Sequence, residues 1–165
     1  MPDVSTEVAI ATTTLGSSAS TITFSSISSA YTDLRLVLTG SFTTADRTTI
    51  TFNSDTATNY SFTRLWGDGS AANSGRQTSY GNIYVGATSR TVMTLATVDI
   101  FSYTGSTFKT ALITQASDNN GSGDVWNAVG LWRSTSAISS IQLGSLGSNT
   151  YATGTTATLY GILKA

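Results

Sequence analysis

Apolar and polar residues alternate with a period of two along almost the whole chain, and no window carries a helical period. In an extended chain successive side chains point to opposite faces, so this alternation marks strands with one face buried. The clearest case runs from Tyr31 to Phe42. Leu34, Leu36 and Leu38 share one side there, and Asp33, Arg35 and Val37 share the other. The only proline stands at position 2, so no strand is interrupted by one. Thr, Ile, Val, Tyr and Phe are frequent, which suits pleated, half-buried surfaces.

Taken in order, the pattern predicts an extended N-terminal arm over residues 1–15 and a single β domain over 16–165. Val8 and Ile10 lie on one face of the arm, and Gly16 breaks it. Strands are expected at Ser20 to Ser26, Tyr31 to Phe42, Thr48 to Asn53 and Asn59 to Trp66. A long polar loop with glycines then covers 67–77. Further strands follow around Ile83, from Arg90 to Tyr103 with a bulge or bend near Leu95, and from Phe108 to Gln115. Val125 to Trp132 and Ala137 to Leu143 read as a hairpin around the turn Arg133-Ser-Thr-Ser136, and Thr156 to Leu163 closes the chain. About ten strands in one domain predict an all-β antiparallel β-sandwich or barrel. The irregular loop lengths favour a jelly-roll-like sandwich.

The chain of 165 residues has neither Cys nor His. Disulfides, thiolate nucleophiles, imidazole acid–base chemistry and zinc sites with Cys or His ligands are excluded together. Charged residues are only 10% of the chain, against about 25% in typical globular domains, and Ser and Thr fill roughly a third of it. The basic residues are scattered and the net charge is −1, which gives no phosphate-binding groove for nucleic acid. No apolar run approaches the roughly 20 residues of a membrane span. The start Met-Pro-Asp-Val-Ser has neither basic flank nor apolar stretch, so no secretory signal is expected.

Two segments invite a chemical reading. Asp118, Asn120, Ser122 and Asp124 partly match the spacing of a calcium loop, but Val129 stands where the acidic residue eleven positions after Asp118 is needed. A plain turn is the better reading, so no metal or cofactor is expected. The other carboxylates sit mostly in turn-like segments (Asp46, Asp55, Asp68), where Asp bonds its own backbone, and no paired acids point to glycoside hydrolysis. Trp132 reads as core. Trp66 and Trp126 border polar loops and could stack on sugar rings.

The stretch Ala128-Val-Gly-Leu-Trp-Arg-Ser-Thr-Ser-Ala-Ile-Ser-Ser-Ile-Gln-Leu143 resembles one in small virion proteins of tailed bacteriophages, notably those of aquatic bacteria such as cyanobacteria. So do Ile10-Ala-Thr-Thr-Thr-Leu-Gly-Ser-Ser-Ala-Ser-Thr-Ile-Thr-Phe24, Tyr31-Thr-Asp-Leu-Arg-Leu-Val-Leu38, Leu65-Trp-Gly-Asp-Gly-Ser70 and Thr158-Leu-Tyr-Gly-Ile162, in the same order along the chain. The resemblance implies a jelly-roll virion protein with no catalytic residues, most simply a capsid decoration or cement protein. Its partners would be the major capsid protein and copies of itself as a homotrimer, and its place the capsid surface after synthesis in the host cytoplasm. A short chain starting at its Met favours a stand-alone protein over a long fibre. The alternative is a tail-fibre or tail-associated adhesin, a β-sandwich module that binds a host glycan. Under the decoration reading the contacts are expected on the arm and on the loop from Trp66 to Gln77, through Val8, Ile10, Trp66, Asp68 and Arg76.

Overall fold

The structure, a computed structural model, describes residues 6–86, 91–118 and 120–163. Twelve strands account for the fold: β1 (Thr6–Thr14), β2 (Ile22–Phe24), β3 (Asp33–Gly40), β4 (Thr48–Phe52), β5 (Tyr60–Gly67), β6 (Ala72–Tyr80), β7 (Ile83–Tyr84), β8 (Thr94–Phe101), β9 (Lys109–Ser117), β10 (Asp124–Trp132), β11 (Ile141–Ser145) and β12 (Thr156–Leu163). They form an eight-stranded sheet in the order β1-β12-β3-β8-β9-β10-β5-β6 and a four-stranded sheet in the order β2-β11-β4-β7. Every pairing is antiparallel. The chain is an all-β sandwich.

The period-two pattern places the core directly. Leu34, Leu36 and Leu38 of β3, Val98 and Ile100 of β8, Ala111 and Ile113 of β9, and Ala128 and Trp132 of β10 form the inner face of the large sheet. Ile22, Phe24, Ile50, Phe52, Ile141 and Leu143 of the small sheet pack against them. Each fully buried side chain of this size contributes about 1.5–3 kcal/mol of transfer free energy. Tyr60 adds a polar handle: its hydroxyl accepts the Phe52 N–H at 2.9 Å and donates to the Asp55 carbonyl at 3.0 Å.

Three expectations are corrected. The stretch from Val129 to Leu143 is not a hairpin, because β10 belongs to the large sheet and β11 to the small one. The connection crosses between layers and is held by Asn53, whose Oδ1 accepts the N–H groups of Ser139 (2.8 Å) and Ser140 (3.1 Å) while its Nδ2 donates to the Ala137 carbonyl (2.8 Å). Most of the loop expected at 67–77 is β6, an edge strand so polar that it carries no periodic apolar signal. No bulge interrupts β8, which pairs in unbroken register with β3 and β9. Register shifts lie instead in the β1–β12 pairing, between Ala9 and Ala11, and in the β5–β6 pairing, between Tyr60 and Phe62. Of the N-terminal arm expected over residues 1–15, residues 1–5 lie outside the described residues, and Thr6–Thr14 pair with β12 as an edge strand.

Candidate contact surfaces

The outward face of the large sheet is built by the residues that alternate with the core. On β8 these are Leu95, Thr97, Asp99 and Phe101. On β9 they are Thr110, Leu112, Thr114 and Ala116, and on β10 Val125, Asn127, Val129 and Leu131. Antiparallel register lines them up across the strands. Leu95 stands opposite Ala116 and Ala116 opposite Val125; Leu112 faces Val129; Thr110 sits between Phe101 and Leu131. Leu65 of β5 extends the face, and Met93 and Phe108 continue it just before β8 and β9. These three central strands are apolar on both faces.

Among the described residues, eight of the eleven large hydrophobic side chains left exposed belong to this face or its ends: Leu65, Met93, Leu95, Phe101, Phe108, Leu112, Val125 and Val129, at 45–62% exposure. Single exposed hydrophobics are ordinary, whereas contiguous ones mark contact sites. Most of the polar residues among them are uncharged, and Thr114 donates to Asn127 Oδ1 at 3.1 Å. Two charged residues share the face: Asp99 stands opposite Leu112, and Arg76 of β6 lines a groove with Val129 and Leu131. On one flank Arg35 binds Asp99 at 2.6 Å and Glu7 at 3.5 Å. The hydrogen bond that Arg35 donates to Asp99 raises the Arg35 pKa further above its already high ordinary value. At one end a groove floored by Met93, Leu95 and Val125 is rimmed by Asp68, Asp118 and Asp124.

Arg76 is exposed on edge strand β6, and Asp68 on the β5–β6 connection. The Asp68 carboxylate accepts the Ser70 hydroxyl at 2.6 Å and the N–H groups of Ser70 and Ala71, which lowers its pKa to about 2. Val8 is exposed on β1, while Ile10 packs partly against the core. Trp66 faces inward with Trp126, their ring centroids 5.6 Å apart. Trp126 is only 1% exposed and so offers no platform for a sugar. The guanidinium of Arg64 lies 5.1 Å from the Trp66 ring and 5.4 Å from that of Trp126, and Arg47 lies over the Tyr84 ring at 4.6 Å. Burial first, and the Arg47 charge second, lower the Arg64 pKa. Of the five expected contact residues, Val8 and Ile10 lie on edge strand β1, Asp68 on the β5–β6 connection and Trp66 beside buried Trp126, while Arg76 lines a groove of the outer face with Val129 and Leu131. The sequence reading missed Leu95, Leu112 and Val125, although apolar residues at both parities of β8 and β9 were the available signal.

The residues weighed for calcium form a turn. Asp118 Oδ1 accepts the Gly121 N–H at 2.9 Å, and Asp124 Oδ1 accepts Gln115 Nε2 at 2.9 Å and the Ser117 hydroxyl at 3.1 Å. Asn120 and Gly121 adopt positive φ, at 52° and 88°, as a tight turn requires. Among the described residues no three His, Cys, Asp or Glu groups are placed to hold a metal ion. The described carboxylates all serve local structure: Asp55 accepts Trp132 Nε1 at 2.7 Å and Asp33 accepts the Ser102 N–H at 2.7 Å.

No protein-family model, no curated protein and no solved structure matches the chain.

Proposed function

We propose that this protein is a structural component of a phage virion, a capsid decoration or cement protein that binds the outer surface of the major capsid protein shell together with further copies of itself. Jelly-roll connectivity belongs to the same reading. The observation that carries it is the broad, largely apolar outer face of the eight-stranded sheet, which calls for a partner surface. The sequence stretches that resemble small phage virion proteins supply the kind of partner. A role made of contacts also suits side chains whose polar groups are engaged in turns, caps and cross-strand bonds. The adhesin alternative is weakened where it relied on Trp126, since that ring is buried.

The test is to mix the purified protein with shells of a tailed phage that lack it and to sediment the shells. The protein is expected to co-sediment in many copies and to raise the temperature at which shells release DNA. Absence from the shell fraction, with binding to host-surface glycan instead, would overturn the reading in favour of the adhesin.

A further inference from the structure

We infer that the outer face of the eight-stranded sheet packs on the same face of a second copy, about a two-fold axis that lies in the interface and runs perpendicular to the strands. The inference rests on the contact reading above but names a different occupant for this face, and it can fail while shell binding stands.

Area is the first argument. At roughly half exposure the eight apolar side chains leave on the order of 700 Å² open, close to the about 800 Å² each partner contributes to a standard interface. The largest apolar patch of an ordinary monomer is smaller, about 300–600 Å². Chemistry is the second. Thr97, Thr110, Thr114 and Asn127 interleave with the apolar residues on the central strands; Asp99 stands among them bonded to Arg35, and Arg76 lies towards the β6 edge, where its long side chain can keep its charge in water. Glu7, Arg35 and Asp99 are paired within one copy. Two twisted sheets stack well at about 10 Å with their strands nearly aligned.

Charge then selects the axis. A two-fold parallel to the strands would set Asp68, Asp118 and Asp124 of one copy against the same three of the other. Turning the axis perpendicular to the strands brings that acidic end over the opposite end of the partner. That end presents no matching acidic cluster: Lys109 and Asp33 are buried within the sandwich, and Asp55 is bonded to Trp132. The Lys109 ammonium donates to the carbonyls of Gly105 (2.6 Å) and Thr107 (2.5 Å), and Arg133 donates to that of Thr58 (2.5 Å). A two-fold contact is self-complementary and closes at two copies, so it forms no fibre.

Sedimentation velocity of the full chain tests this. Wild type is expected to run as a dimer at micromolar concentration, and Leu112→Glu/Val129→Glu as a monomer with an unchanged β spectrum. Should the charged pair fail to fold, Leu112→Thr/Val129→Thr keeps strand propensity and is expected to weaken dimerisation by about tenfold or more. Because the chain has no cysteine, introduced ones report the axis. Leu95 and Phe101 lie about 20 Å apart along β8. Leu95→Cys is expected to cross-link with Phe101→Cys in a mixture and not with itself. A monomeric or trimeric wild type, dimers unaffected by both double variants, or Leu95→Cys homodimers would each overturn the proposal.

Discussion

Asp46 is the carboxylate whose surroundings most clearly couple stability to pH. It is buried just before β4 and bridges to the β11–β12 connection, accepting the N–H groups of Arg47 (2.7 Å), Gly147 (2.9 Å) and Asn149 (3.1 Å). Burial taken alone would push its pKa up. The three N–H groups and the Ser145 hydroxyl overcome this and hold it below the ordinary 3.8. A carboxyl whose pKa is depressed on folding stabilises the folded state above its unfolded value of about 3.9. That contribution disappears as the pH falls through the lower folded value. Thermal melts should therefore drop steeply below about pH 4, and Asp46→Asn should lower the neutral-pH melting temperature while flattening this acid limb. A variant with an unchanged acid limb would assign the pH dependence to other carboxylates. In sequence, Asp46 reads as an ordinary turn residue, because its partners at 147 and 149 come from a remote segment.

At the scale of elements, β10 shows what alternation can and cannot specify. Its inward residues Trp126, Ala128, Gly130 and Trp132 follow from parity once Trp132 is assigned to the core. The need for glycine at 130 does not, since it arises from the other sheet. A Cβ there would stand 2.7 Å from Ile83 Cδ1 and 2.8 Å from its Cγ2. Gly130→Ala is thus expected to destabilise the protein by about 1–3 kcal/mol in urea unfolding, as overpacking does. Ile83→Val should recover part of the loss in the double variant, and simple additivity of the two changes would refute the clash. The outer face teaches the complementary lesson. Leu95 looks like a slip in register when one face is assumed to be buried. It is in fact the outward residue of a regular strand that is apolar on both sides. Periodicity locates such strands poorly, because apolar residues occupy both parities. The expected contacts at Val8, Trp66 and Arg76 were chosen for their place near loops and the chain end, whereas the exposed apolar surface gathers on strands that meet only through pairing.

For the whole molecule, the sandwich combines a largely apolar central face with an acidic end, and association through it should behave accordingly. Burial of apolar surface predicts a negative heat-capacity change by calorimetric dilution. The affinity should hold as salt is increased towards about 1 M, where the Debye length of about 3 Å screens ion pairs but not apolar contact. Dissociation by salt would point to an interface made of ion pairs. The amino-acid sequence by itself determined the all-β class, the inward residues of most strands and the lack of thiol and imidazole chemistry, because these depend on composition and on local parity. Only the tertiary structure decided that β10 and β11 belong to different sheets, that polar residues 72–80 form an edge strand, and that Leu65, Leu95, Leu112, Val125 and Val129 share one face. Those outcomes depend on which strands become neighbours, and neighbour choice is set by packing between residues far apart in the chain.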